Sequence, residues 1–133
     1  MVVVNCKVKF IRPKYNDLKL WMEDKNNIYI GRSGIVFILN DKTGIKERFP
    51  KKQSLFANPF KINKNKTREQ VIELYENYIR NEINKNDELK DELLKLKGKN
   101  LGCWCHPEPC HGDVLIKLID EYNLKNWNNI NFL

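Results

Sequence analysis

Apolar residues recur along the chain with two spacings, and each spacing predicts a type of element. Residues 1–9 alternate loosely between apolar and polar and are rich in valine, which predicts an opening strand. "YNDLKLWME" (15–23) puts Leu18, Trp21 and Met22 on one face of a short helix. "NIYIGR" (27–32) and "IVFIL" (35–39) read as a pair of strands split by Ser33-Gly34, and "NDKTG" then turns the chain. From about residue 40 to 66 no period holds, and an irregular stretch of that length points to a functional or moving loop.

The second half is more regular. Thr67 and Gln70 carry a capping-box signature, and Glu69 suits the positive end of the helix dipole. Val71, Ile72, Tyr75, Tyr78, Ile79 and Ile83 then keep helical spacing to residue 83. Leu89, Leu93, Leu94 and Leu96 mark a second helix over roughly 86–97, stopped by Gly98. "KNLGCW" (99–104) reads as a buried strand. From Gly112, the spacing of Val114, Leu115, Leu118, Ile119 and Tyr122 predicts a last helix ending near Asn123. Trp127, Ile130 and Phe132 in the tail are expected to pack back on the body. Strands alternating with helices give an α/β class: one compact layered domain over 1–133, a small central sheet of roughly four strands flanked by helices, Rossmann-like.

Composition changes this picture little. The 133 residues suffice for one hydrophobic core, and 41% hydrophobic with 11% aromatic content is that of an ordinary globule. No apolar run approaches the ~20 residues of a membrane span, and the opening "MVVVNCKVKF" lacks a signal-peptide pattern. The expectation is a cytoplasmic, intracellular protein with no membrane partner. The formal charge of +7 invites a nucleic-acid reading. It comes, however, from 19 Lys against 5 Arg alongside 18 Asn, a bias that A/T-rich coding produces without selection for charge. Weak, non-specific nucleic-acid binding is the most it predicts.

Chemistry concentrates in "LGCWCHPEPCHGD" (101–113), which holds three of four cysteines and both histidines. It leaves a strand and enters a helix, where ligands bind in open α/β sheets. Three readings compete. Zinc, if bound, would take Cys103, Cys105, Cys110 and His111, but structural sites draw ligand pairs from separate knuckles and these lie within nine residues, so zinc is not favoured. Thiol or acid–base chemistry would use Cys110, His111 and Asp113 at the helix start, where amides and the dipole favour anions. That placement predicts Cys110 as the most acidic thiol, ahead of Cys103 and Cys6. The third reading makes Cys103 a small buried hydrophobe and the helix start a cap.

"YIGR" (29–32), "NPF" (58–60), "TREQVIELYENYI" (67–79) and "GKNLGCWCHPEPCHGDVL" (98–115) follow one another in an order that resembles domain-of-unknown-function family 4326, over about residues 29–122. The strand–Cys–loop–Cys-His–helix corner is also similar, more weakly, to another uncharacterised family, number 488. The resemblance implies small proteins from cells and viruses without an assigned activity. The matching residues are Gly31, Arg32, Asn58, Pro59, Phe60, Arg68, Cys103, Cys105, Cys110, His111, Gly112 and Asp113. Their chemistry suggests a pocket for a small anionic or nucleotide-type ligand. Gly31, Arg32, Asn58, Phe60, Arg68 and Gly112 would hold it, with Cys110, His111 and Asp113 as the catalytic set. Arg68 opposes its own helix dipole, which suits either a facing anion or a solvated charge. The leading expectation is a small enzyme or enzyme-like binding protein of unknown cofactor. The rival is a non-enzymatic nucleic-acid- or protein-binding module with a structural Cys/His corner.

Overall fold

The computed structural model describes the backbone of residues 1–131 and the side chains of residues 1–125. Among these the elements run β1 (Val2–Asn5), α1 (Val8–Ile11), α2 (Leu18–Glu23), β2 (Asn27–Tyr29), β3 (Val36–Leu39), β4 (Lys46–Phe49), α3 (Arg68–Lys85), α4 (Asp87–Leu94), β5 (Asn100–Cys103) and α5 (His111–Asn131). A three-stranded parallel sheet in the order β1-β5-β2 forms the centre, with Val3 beside Leu101 and Ile28 beside Leu101 on the other edge.

Both faces of this sheet are covered, as parallel sheets require. Alternation along β5 assigns the faces. Leu101 and Cys103 point into a core shared with Tyr75, Ile79 and Ile83 of α3, Leu93 of α4, and Leu115, Leu118 and Ile119 of α5. On the opposite face, Cys6, Ile11, Leu18, Trp21 and Tyr29 form a second core, to which Val36, Ile38, Phe49 and Trp104 add. Gly102 lies between. A Cβ there would stand 2.5 Å from the Trp21 ring and 2.6 Å from the Cys6 sulfur, so only glycine lets α2 sit this close to the central strand.

The α/β layered class holds. Three strands fall short of the doubly wound Rossmann arrangement, and the expected sheet of roughly four strands is instead a three-stranded sheet plus an antiparallel hairpin of β3 and β4. Residues 27–32 and 35–39 therefore do not pair with each other. β3 turns back through Asn40 and Gly44 (φ +71°) and pairs Val36 with Phe49 and Leu39 with Lys46. β4 lies in the stretch that showed no period, because "KERF" keeps strand alternation with polar residues on both faces.

The opening strand is shorter than 1–9. Asn5 stops it: its Oδ1 accepts the Lys7 N–H at 3.0 Å while its Nδ2 donates to the His106 carbonyl at 2.8 Å. The chain then bends into α1. The Thr67–Gln70 capping box of α3 is present in both directions, at 3.2 Å and 2.8 Å. Asn86 caps α4 through the amides of Glu88 and Leu89, and Gly98 (φ +79°) follows. α5 passes Asn123 and continues to Asn131, since neither Gly nor Pro interrupts it. The expected packing of Trp127, Ile130 and Phe132 lies outside the described side chains. No helix among the described residues is long and apolar enough to cross a membrane.

Candidate functional site

The carboxyl ends of all three parallel strands face one edge of the sheet. There Gly31 and Arg32 leave β2, Trp104 and Cys105 leave β5, and α5 begins. A cavity of about 390 Å³ opens at this edge. It is lined by Gly31, Arg32, Asn58, Phe60, Arg68, Cys103, Cys105, Cys110 and His111 from the sequence reading. Ile35, Lys61, Ile62, Val71, Ile72, Trp104 and Pro109 complete the lining.

Each polar residue is held by a definable contact. Arg32 donates from Nε to the Asn58 carbonyl at 2.8 Å and from Nη2 to the Phe60 carbonyl at 2.9 Å. It thereby pins the 58–60 segment to the end of β2, and two arms of its fork serve the loop. Asn58 turns that segment by accepting the Phe60 N–H at 2.9 Å. Phe60 stands edge-on to Tyr78 of α3, with ring centroids 6.0 Å apart. Arg68, in the first turn of α3, pairs with Glu108 at 2.6 Å, donates to the Pro109 carbonyl at 3.3 Å, and lies against the Cys105 thiol. The facing anion expected for Arg68 is thus, within the chain, Glu108.

His111 bonds through Nε2 to the Ile30 carbonyl at 2.8 Å, and the edge of its ring meets Tyr75 with centroids 5.0 Å apart. A carbonyl only accepts, so the Nε2 proton is fixed and Nδ1 is left as the acceptor. Burial pushes the His111 pKa below its ordinary value, against the pull of the Ile30 bond, and nearby Arg32 lowers it further. The imidazole is neutral near pH 7 and so lends Cys110 no positive charge.

The thiols differ from the sequence reading in which one is activated. Cys110 Sγ donates to Cys103 Sγ at 3.4 Å, and the Gly112 N–H donates to Cys110 Sγ at 3.3 Å. The amides of Cys105 and His106 stand close to the Cys103 sulfur. Hydrogen bonding of the Cys110 thiol to Cys103 lowers the Cys103 pKa and raises that of Cys110, and burial raises Cys110 further. The acidic thiol of the pair is Cys103, at the end of the central strand, and Cys110 is its proton donor. Cys6, on the other face of the sheet, is pushed up to about 12, chiefly by burial.

Two site candidates sit outside the cavity. Asp113, placed in the catalytic set by the sequence, is exposed, and its carboxylate accepts the Cys110 N–H at 3.0 Å, capping α5. Gly112 is buried under Val3 and Ile30, with a hypothetical Cβ 2.9 Å from Val3, so it sets how closely α5 approaches the sheet. The four zinc candidates all line the cavity and the Cys103 and Cys110 sulfurs are 3.4 Å apart, but among the described residues no three Cys, His, Asp or Glu side chains are grouped to hold a metal ion. Lys61 and Trp104 were missed as lining residues. Lys61 sits in the aperiodic stretch, and Trp104 reads equally well as core: its Nε1 donates to Tyr29 at 2.8 Å within the second core.

No solved structure matches the chain. A 55-residue segment is 37% identical to a protein of Enterobacteria phage T4 described as an uncharacterized 12.4 kDa protein in the nrdA-td intergenic region. That segment is 41% of this chain and 51% of the phage protein, so the chain spans about half the length of the curated relative it matches. The family model extends further toward the amino end than the motifs that first suggested it. It matches residues 14–121, from before α2 into α5, and the chain belongs to the family described as Domain of unknown function (DUF4326).

Proposed function

We propose that the protein binds a small anionic ligand of nucleotide type in the cavity at the sheet edge and acts on it as an enzyme or enzyme-like protein. One observation carries the reading: among the described residues Arg32, Lys61 and Arg68 line the cavity and no carboxylate does. Three cations around a partly enclosed space favour negative charge, and the apolar lining lowers the local dielectric in which they act. Phe60, Trp104, Ile35 and Ile72 offer flat and aliphatic surface for a ring. His111 supplies a neutral imidazole with one nitrogen committed to Ile30, which suits it to accept a proton from a bound group. Arg32 supports this reading as a loop anchor with one free arm, since Nη1 has no partner among the described residues.

Glu108 competes with any ligand for Arg68, and that makes the reading testable. Titration calorimetry of the protein with AMP, with adenosine and with inorganic phosphate separates charge from ring. AMP is expected to bind best, Lys61→Ala to weaken it on the order of tenfold, and Glu108→Gln to tighten it by freeing Arg68. Equal affinity for AMP and adenosine, or no binding of any of the three at ~1 mM, would remove the anionic ligand.

A further inference from the structure

We infer that Cys103 and Cys110 are a dithiol couple that reacts with small hydroperoxides, Cys103 as the attacking sulfur and Cys110 as the resolving one. The inference does not rest on the ligand reading; it rests on how the four thiols are distributed. Cys6 lies on the far face of the sheet among Trp21 and Leu18. Cys105 is more exposed than either member of the pair and lies beside Arg68 at the cavity mouth. Cys103 and Cys110 meet at the cavity floor, one from the end of β5 and one from just before α5, with sulfurs 3.4 Å apart. A disulfide needs about 2.05 Å, so the sulfurs must close by roughly 1.4 Å, a side-chain adjustment.

Their hydrogen bonds set the order of reaction. The Cys110 sulfur lies within donating distance of Cys103, and the two amides of Cys105 and His106 favour charge on Cys103 over the single Gly112 amide on Cys110. The thiolate is the nucleophile in thiol oxidation. Cys103 attacks the near peroxide oxygen and the O–O bond breaks. This leaves Cys103 as a sulfenic acid and, after protonation, releases an alcohol, or water when the oxidant is hydrogen peroxide. Cys110 then attacks the Cys103 sulfur, the S–O bond breaks, and hydroxide leaves as water with the Cys110 proton. Two thiols are oxidised by two electrons to one disulfide, and one peroxide is reduced.

Access narrows the class of oxidant. Cys103 is 1% exposed and Cys110 is 4% exposed, and both line the cavity, so bulky disulfides and large alkylating reagents are held off and the oxidant that fits is one as small as hydrogen peroxide. Once oxidised, the floor loses both its negative sulfur and its donor thiol, so the cavity would attract anions more strongly.

Peptide mapping after limited hydrogen peroxide treatment of the reduced full chain tests this. The expected result is a mass loss of about 2 Da and a Cys103–Cys110 linked peptide, with Cys6 and Cys105 still reduced. In Cys110→Ser, dimedone should capture a sulfenic acid on Cys103; in Cys103→Ser, Cys110 should be unreactive. Oxidation of Cys105 ahead of the pair, or sulfenic acid on Cys110, would overturn the assignment. Should a serine variant fail to fold, wild-type mapping decides alone, because absence of the Cys103–Cys110 link is sufficient to reject it. No nucleotide enters the experiment, so a failed ligand titration leaves its outcome independent.

Discussion

His111 illustrates how a single contact decides what a residue can do. Its letter beside Cys110 suggests a cation that would acidify the neighbouring thiol. Burial against Tyr75 keeps it neutral instead, in spite of the bond to Ile30, and the acidic thiol becomes Cys103. The identities of the reactive residues were legible in "CWCHPEPCHGD", but the proton positions depend on where the amides of Cys105, His106 and Gly112 point, and no spacing rule encodes that. The lowered pKa has a consequence for stability. An unfolded histidine takes a proton near pH 6.5 while folded His111 resists it, so the unfolded state binds more protons in the window just below that value. Stability is therefore full above about 6.5 and declines as pH falls toward 5, before carboxylates titrate. His111→Gln, which keeps a donor for Ile30, should flatten this decline in urea melts at pH 7 and pH 5. An unchanged slope would assign the acid sensitivity elsewhere.

Elements were legible wherever pattern and punctuation agreed. α3 is the clearest case, with a cap at Thr67 and buried Val71, Tyr75, Ile79 and Ile83 along one face. Thr67→Ala removes the acceptor for the Gln70 amide and should cost about 1 kcal/mol, with Gln70→Ala costing less because only its reach back to the Thr67 amide is lost. Chemical denaturation of the two variants reads the difference directly, and Gln70→Ala proving the more damaging would contradict it. β1 and β4 were misread for one reason: partners outside each segment set them. β1 stops at Asn5 because the carbonyl of His106 captures its side chain, one hundred and one positions away. β4 is a strand because β3 is opposite it, and "KERF" on its own has no apolar face to announce it.

At the scale of the molecule, some of the cations serve local pairings that hold helices together, and the charge of +7 is the excess left over. Arg80 holds Glu121 with both terminal nitrogens at 2.9 Å and Glu76 through Nε at 2.9 Å, while Lys117 also reaches Glu76, so these cations cross-tie α3 to α5. Duplex DNA should accordingly bind weakly and without sequence preference, with affinity collapsing between ~50 and ~200 mM salt. Filter binding at those two concentrations checks this; a preferred sequence that survives the higher one would make nucleic acid the primary partner. The α/β layering was legible because helical and strand periods alternate, whereas the strand order was not, because nothing local says which strand lies in the middle. That order carries a consequence for how the chain comes together. β1 and β2 are made before β5, yet among the described residues each pairs only with β5, so neither has a sheet partner until residues 100–103 have been made. The two earlier strands must wait, apolar and unpaired, while everything between β2 and β5 is made, and β5 on arriving zips both edges and delivers Cys103 to the cavity floor in the same event.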